Sequence, residues 1–222
     1  MDLLSRLRRP SHPWAWTIVT AAPKGDAGEQ WGDTWFARDL ARGLQRAGQR
    51  VRVTSRAGAT SEQRNFDDVV VTLRGLTEFQ PPVDRQSIWI MWVISHPELV
   101  TADEVARYDA VFAASAAWSP WSEHPVIPLL QATAAERFHP PRRTPTRSSR
   151  LLFVGSTRGV FRPAVRAALR STRANDLELY GVGWSQFVAP ERISGEFLDN
   201  AQLPDAYARA DIVLNDHHEH MA

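Results

Sequence analysis

The chain has no cysteine, which excludes a disulfide framework and any thiolate metal site. It is also almost without lysine: of 26 lysine and arginine residues only Lys24 is a lysine, so its positive charge is carried by guanidinium groups. Long apolar runs are missing. The longest, Ile88 to Ile94, falls far short of the roughly 20 residues that span a bilayer, so no transmembrane segment is expected. Arg6, Arg8 and Arg9 stand beside Leu3 and Leu4 without an apolar core segment, so this stretch is not expected to be a secretory signal. These absences predict a cytoplasmic protein, with peripheral association at a membrane compatible with them. The net charge of +1 argues against a general polyanion binder. No heptads appear, and the basic residues are not interleaved with aromatics, so no nucleic-acid partner is expected.

What is present is uneven. Between Arg137 and Asn175 there is no aspartate or glutamate, yet arginine occurs at 137, 142, 143, 147, 150, 158, 162, 166, 170 and 173. Guanidinium groups suit bidentate phosphate contacts, and an arginine-biased solvated surface is the plainer reading of the same stretch. Along the first half, Trp14–Thr20 reads as a strand. A loop with Gly25, Gly28 and Gly32 follows, and then a helix to about Ala47, capped by Asp33 or Thr34 and striped by Phe36, Leu40, Leu44 and Ala47. Gly48 stops it. Further strands are predicted over Arg50–Thr54, Asp68–Leu73, Ser87–Ile94, Ala110–Ala114 and Val126–Leu130. A helix is expected near Ala102–Tyr108, and a turn or helix around Trp118–Trp121. The fourth strand is apolar throughout and therefore central. Short strands alternating with helices point to an α/β fold of parallel βαβ construction.

Residues 139–150 are polar and proline-rich and read as a linker, dividing a first domain (1–138) from a second (151–222). In the second, Leu151–Gly155 reads as a strand and Pro163 as a helix start. That helix buries Val165, Ala168 and Leu169. Strands over Leu177–Tyr180 and Asp211–Asn215 flank a helix over Leu203–Ala210. Three strands are few beside the usual four to six, which predicts a C-terminally truncated second domain.

Candidate site residues lie in strand-end loops, where open parallel sheets bind ligands. The loop Ala21–Gly32 lacks G-x-G-x-x-G, so the dinucleotide fingerprint is absent and a nicotinamide-dependent oxidoreductase or epimerase is disfavoured. Gly32 and Asp33 open a helix. Asp33 either caps that helix or meets an anion or sugar hydroxyl. In Ser95-His96-Pro97-Glu98, the proline is expected to hold His96 extended, where it can exchange a proton with a ligand or simply cap the next helix. Gly155, Ser156, Thr157, Arg158 and Gly159 can cradle a diphosphate without forming a Walker loop. Gly181, Gly183 and Trp184 follow the next strand, and a base can stack on the Trp184 ring. His217, His218 and His220 do not have the helical His-Glu-x-x-His spacing and no cysteine is available, so no metal is expected.

The segments Gly32-Asp-Thr-Trp-Phe-Ala-Arg-Asp-Leu-Ala-Arg-Gly-Leu and Gly48-Gln-Arg-Val-Arg-Val resemble the first βαβ unit of GT-B glycosyltransferases. Leu129-Leu-Gln-Ala-Thr-Ala-Ala-Glu-Arg-Phe-His-Pro-Pro is similar to the segment closing their N-terminal domain, and Leu152-Phe-Val-Gly-Ser to the opening of the C-terminal one. Leu179-Tyr-Gly-Val-Gly-Trp and Ala210-Asp-Ile-Val-Leu-Asn-Asp-His-His-Glu-His-Met look like the spore-maturation type, with a glycosyl transferase family 1/4-like C-terminal domain. The resemblance implies two Rossmann-like domains facing across a cleft. It implies a nucleotide-sugar donor on the C-terminal side, an acceptor (glycan, lipid or small molecule) mainly on the N-terminal side, and no metal or cofactor. It places Gly32 in a cleft-facing loop, His96 near the sugar, and Ser156, Thr157 and Arg158 near the diphosphate. Asn215, His217 and His218 then fall at the start of the donor-binding segment. The family's acidic donor-sugar motif and returning helix do not occur in these 222 residues.

The expected chemistry is glycosyl transfer. Arg158 with helix-end N–H groups stabilises the departing diphosphate, Arg162 assists, and Asp33, His96 or Glu98 takes the acceptor proton if the enzyme inverts. The rival is a non-catalytic nucleotide- or sugar-binding module.

Overall fold

Val69–Arg74 and Ile88–Val93 show no polar alternation, so neither face can be left to water. Helices on both sides of a parallel sheet meet that need. The computed structural model describes residues 13–61, 68–121, 123–141, 146, 149–171 and 176–216. They form two compact units divided between Ala132 and Thr133.

The first unit contains β1 (Ala15–Thr20), α1 (Asp26–Glu29), α2 (Gly32–Arg46), β2 (Arg50–Ser55), α3 (Arg56–Ser61), β3 (Val69–Arg74), β4 (Ile88–Val93), α4 (Ala102–Val105), β5 (Ala110–Ala113) and β6 (Val126–Pro128). Its six strands pair in parallel in the order β2-β1-β3-β4-β5-β6. Every residue of β3 is buried, and β4 lies inside the sheet as expected. Helix α2 covers one face, with Ala37 and Ala41 buried and Phe36, Leu40 and Leu44 packed beside Ile18, Val71, Leu73 and Trp92. Ala47, expected on that stripe, is exposed, because the helix has already ended at Arg46. Gly48 follows with φ 82°, the left-handed stop that glycine supplies. The region around Trp118–Trp121 is neither helix nor strand; the two rings meet edge to face at 5.5 Å.

Two sequence expectations about α2 are corrected. Neither Asp33 nor Thr34 caps the helix: Trp31 holds the N-cap position without a side-chain bond. The Thr34 hydroxyl instead donates to the Gly28 carbonyl at 2.7 Å, and the Trp35 indole donates to the Glu29 carbonyl at 2.8 Å. These bonds clasp α1 onto α2.

The second unit contains β7 (Ser149–Val154), α5 (Pro163–Ser171), β8 (Leu177–Tyr180), α6 (Leu203–Arg209) and β9 (Ala210–Val213). Its sheet is parallel, in the order β8-β7-β9. Val165 and Ala168 of α5 pack with Phe153, Leu177, Leu179 and Trp184. Arg137 donates to the Asn200 carbonyl at 2.8 Å, and the Phe138 ring lies 5.9 Å from Tyr207, so this segment packs on the second unit. Much of the stretch read as a linker, including residues 142–145, lies outside the described residues. The fold class is therefore as expected: α/β, with two Rossmann-like parallel sheets of which the second is small.

At the end of β3 the chain turns from apolar to charged, and Arg74 stays buried. Its Nε donates to Glu104 Oε1 at 2.7 Å, and Nη2 donates to Glu104 Oε2 at 3.1 Å and to the Leu99 carbonyl at 3.0 Å. Nη1 donates to the Gly75 carbonyl. Glu104 is set by the N-cap of α4, where the Thr101 hydroxyl accepts from the Glu104 N–H at 3.2 Å. Breaking one side of a buried pair strands a desolvated charge. Glu104→Gln is expected to lower unfolding free energy by about 3–5 kcal/mol, read by urea denaturation followed through tryptophan fluorescence. The double variant Arg74→Met/Glu104→Leu should recover part of that loss, and a single variant as stable as the parent would refute the assignment.

Candidate functional site

In the first unit the strand order reverses at β1, because β2 is laid on one side of it and β3 on the other. Such a reversal opens a crevice between the loops at the carboxyl ends of β1 and β3. Gly75, just after β3, sits at its floor. A Cβ there would stand 3.4 Å from Asp33 Oδ2, 3.5 Å from Ser95 Oγ and 3.7 Å from Ala21 Cβ. Residues from the loops after β1, β3 and β4 therefore meet at one point. Gly32 lies beside it in the first turn of α2, exposed and with open space where a Cβ would be.

His96 was expected to be extended. It is left-handed instead, with φ 53° and ψ 51°. Proline after it disfavours the right-handed helical region, and the His96 carbonyl accepts from the Leu99 N–H at 3.1 Å, which fixes the alternative. A non-glycine residue held there stores backbone strain of the kind concentrated at functional sites. Its Nδ1 is 2.9 Å from Glu98 Oε1. A carboxylate accepting from Nδ1–H leaves Nε2 with the lone pair, which is the arrangement of an oriented base.

One residue of this crevice escaped the sequence reading. Arg56 follows β2, and its Nη1 donates to the Thr77 hydroxyl and, at 3.1 Å, to the Glu78 carbonyl, both beyond β3. Because β1 lies between β2 and β3, this side chain crosses the carboxyl end of β1. Burial, and then the neighbouring Arg74 charge, push its pKa down from the ordinary guanidinium value, while Tyr108, Glu104 and, least, Asp33 act the other way. No local signal marks Arg56; only the strand order brings it there.

In the second unit the loop after β7 divides into a packed base and an open tip. Thr157 is buried; its N–H donates to the Val182 carbonyl at 3.0 Å and its Oγ1 accepts from the Gly159 N–H at 3.3 Å. A Cβ on Gly181 would lie 2.1 Å from the Gly155 carbonyl oxygen, and one on Gly183 would lie 2.4 Å from Thr157 Oγ1. These glycines let two loops close against each other. The expectation that a base stacks on Trp184 is corrected. Trp184 is 1 % exposed, its indole donates to the Gly155 carbonyl at 2.9 Å, and its ring meets Phe153 edge to face at 5.6 Å. It is a wall of the core. At the tip, Arg158 is exposed with φ 51° and Gly159 has open space around it at φ 79°, while Ser156 is half-buried.

Arg162 was expected to assist a leaving diphosphate, and the structure gives it an internal partner. Its Nε donates to Asp216 Oδ1 at 2.6 Å, and Nη2 donates to the Asp216 carbonyl at 2.8 Å. The other carboxylate oxygen, Oδ2, accepts from the Ala164 N–H at 3.2 Å. The amino end of α5 thus already holds a carboxylate from this chain. Asn215 is exposed, and His217, His218 and His220 lie outside the described residues. Among the described residues no cluster of three metal-ligating side chains occurs, and no helix is long and apolar enough to cross a membrane. Asp216→Ala leaves Arg162 unpaired and α5 uncapped. An expected loss of about 2–4 kcal/mol is to be read by chemical denaturation, and a loss within about 0.5 kcal/mol, the range of ordinary surface changes, would show the pair to be incidental.

No protein-family model and no curated protein matches the chain. Among solved structures, MurG of Acinetobacter baumannii is similar, with a TM-score of 0.42 and 14% identity, covering 90% of this chain and 73% of that one.

Proposed function

We propose that this chain is a glycosyltransferase, moving a sugar from a nucleoside-diphosphate sugar to an acceptor hydroxyl. The reading rests on the His96–Glu98 pair, 2.9 Å apart on a strained turn at the carboxyl edge of a parallel sheet. Nε2 of His96 takes the proton of the acceptor hydroxyl, and Glu98 stabilises the imidazolium that forms. The acceptor oxygen bonds to the anomeric carbon as the bond from that carbon to the diphosphate oxygen breaks. The electron pair leaves with the diphosphate, which Arg158 and N–H groups at the tip of its loop stabilise. Within that loop, the open space at Gly159 and the exposure of Arg158 support the role of the tip, with Ser156 beside it. The chemistry needs neither metal nor cofactor. A cytoplasmic location agrees with the absence of cysteine.

A second reading, a nucleotide- or sugar-binding module without catalysis, is favoured by one observation: Asp216 fills the amino end of α5 and engages Arg162.

The two readings part on a donor-hydrolysis and transfer assay. His96→Gln should lower turnover by about 10²–10⁴-fold, the usual share of a general base, with nucleoside-diphosphate affinity unchanged in calorimetry. Arg158→Ala should weaken that affinity by about tenfold, as expected for one lost charge-assisted contact. Binding without turnover in the parent would establish the module, and unchanged affinity in Arg158→Ala would remove Arg158 from the site.

A further inference from the structure

We infer that Arg74 is a positioning residue for the proposed base: it closes the loop that carries His96 and so sets the Glu98 carboxylate against Nδ1 of the imidazole. Calling His96 a base rests on the transferase reading; the hold of Arg74 on the loop does not.

The loop leads from the end of β4 towards α4, and one residue fastens it at two points. At its start the Ile94 N–H donates to the Arg74 carbonyl at 3.1 Å. Further on, the Leu99 carbonyl accepts from Arg74 Nη2 at 3.0 Å. His96 and Glu98 lie between these points. The Leu99 side chain is 47 % exposed, so its burial does little to hold the turn, and the bond to its carbonyl has that task. Within the loop the Leu99 N–H donates to the His96 carbonyl at 3.1 Å and the Val100 N–H to the Pro97 carbonyl at 3.2 Å. Those bonds shape the turn without tying it to the sheet. The tie is as firm as the guanidinium, which is buried and engaged by both Glu104 oxygens. Glu104 is fixed in turn by the Thr101 cap and by the burial of its neighbour Val105. An ammonium group lacks the planar fork that meets a carboxylate and still reaches carbonyls beyond it.

Glu98 directly precedes Leu99, so freeing Leu99 frees this carboxylate first, while His96 stays near the backbone bond of Ile94. Without Arg74 the 2.9 Å contact between Nδ1 and Glu98 Oε1 loses its fixed geometry. The imidazole then gains the Nε2–H form, which carries a proton where the acceptor's proton has to go. A pair kept for stability alone would leave the tautomer untouched.

The test reads the His96 tautomer in the full chain by nitrogen NMR of the imidazole, at a pH where the ring is neutral. The parent is expected in the Nδ1–H form. Arg74→Met/Glu104→Leu should lower the ratio of Nδ1–H to Nε2–H forms by about tenfold, the weight of one hydrogen bond to a charged group. Arg74→Lys should lower it as well, although the charge is kept. Ile88→Ala, which opens a cavity at the other end of β4, should leave it unchanged. Hydrogen exchange in the parent gives a reading that needs no variant: the Leu99 amide should exchange within about a hundredfold of the Val71 amide in β3, as one held by the sheet does. The inference is overturned if the parent's His96 is in the Nε2–H form, or if either Arg74 variant, folded, keeps the parent's ratio. It is equally overturned if Ile88→Ala lowers the ratio as far, or if the Leu99 amide exchanges faster than that bound. The transferase reading fails separately: a parent with His96 in the Nδ1–H form that transfers no sugar refutes it and leaves the hold of Arg74 standing.

Discussion

The buried Arg74–Glu104 pair is the constraint on which the first unit's chemistry depends. Desolvating two charges costs several kcal/mol per ion before their attraction offsets it, so a pair kept for stability alone has cheaper apolar substitutes. Here the guanidinium also serves backbone. It holds the Gly75 carbonyl at the end of β3 and the Leu99 carbonyl in the turn after β4. The Leu99 N–H in turn donates to the His96 carbonyl. A chain of bonds therefore runs from a charge inside the sheet to the left-handed histidine at its edge. Strain at one residue persists only where surroundings over-determine it, and this chain of bonds is what does so at His96. The turn that aims the imidazole is thus fixed from beneath, not from the solvent side.

Contacts within a segment were legible from sequence, and contacts between distant segments were not. β1, β3, β4 and β7 follow largely apolar runs, β2 and β8 alternate charged with apolar residues, and the interior place of β4 follows from its lack of alternation. The helix stop at Gly48 and the start at Pro163 are likewise local. The misses have one origin. Of the two readings of Asp33, the cap was the local one, because caps are chosen within a few residues, whereas its position beside Gly75 and Ser95 is set by sheet order. His96 was read as extended because proline excludes one backbone region. The choice among the remaining regions fell to a hydrogen bond from Leu99. Arg74 and Glu104 are 30 residues apart, and Arg162 and Asp216 are 54 apart. No spacing rule links them. One signal was available and unused: Thr101-Ala-Asp-Glu104 has the capping-box pattern, and its glutamate turns to Arg74 where the pattern would send it back to the cap.

The second unit shows why glycines in a strand-end loop do not by themselves mark a phosphate cradle. Gly155, Gly159, Gly181 and Gly183 look equivalent in sequence. The space around them separates the roles. Backbone or side chain stands within 2.4 Å of a Cβ at Gly181 and Gly183, whereas nothing lies within 4 Å at Gly159. The first two are glycine because loops touch, with Thr157 and the Trp184 indole sealing the contact. Only the Arg158–Gly159 tip keeps backbone and charge open to a ligand.

That partition also changes what the amino end of α5 contributes. A helix start attracts anions through its N–H groups and dipole, and a guanidinium beside it strengthens the pull. Asp216 supplies the anion internally, with one carboxylate oxygen on Arg162 and the other on the Ala164 N–H. The electrostatic demand of the helix end is met within the fold, and the segment after β9 is anchored by meeting it. Of Arg158 and Arg162, the two arginines read as meeting the diphosphate, the exposed one is Arg158, at the tip of its loop with φ 51°. A guanidinium held by neither a carboxylate nor the core pays little to engage an incoming diphosphate, whereas Arg162 would first have to surrender a bidentate partner. Between Arg158 and Arg162, the second unit's chemistry is therefore set less by the number of arginines the sequence supplies than by whether the fold has already given the guanidinium a carboxylate.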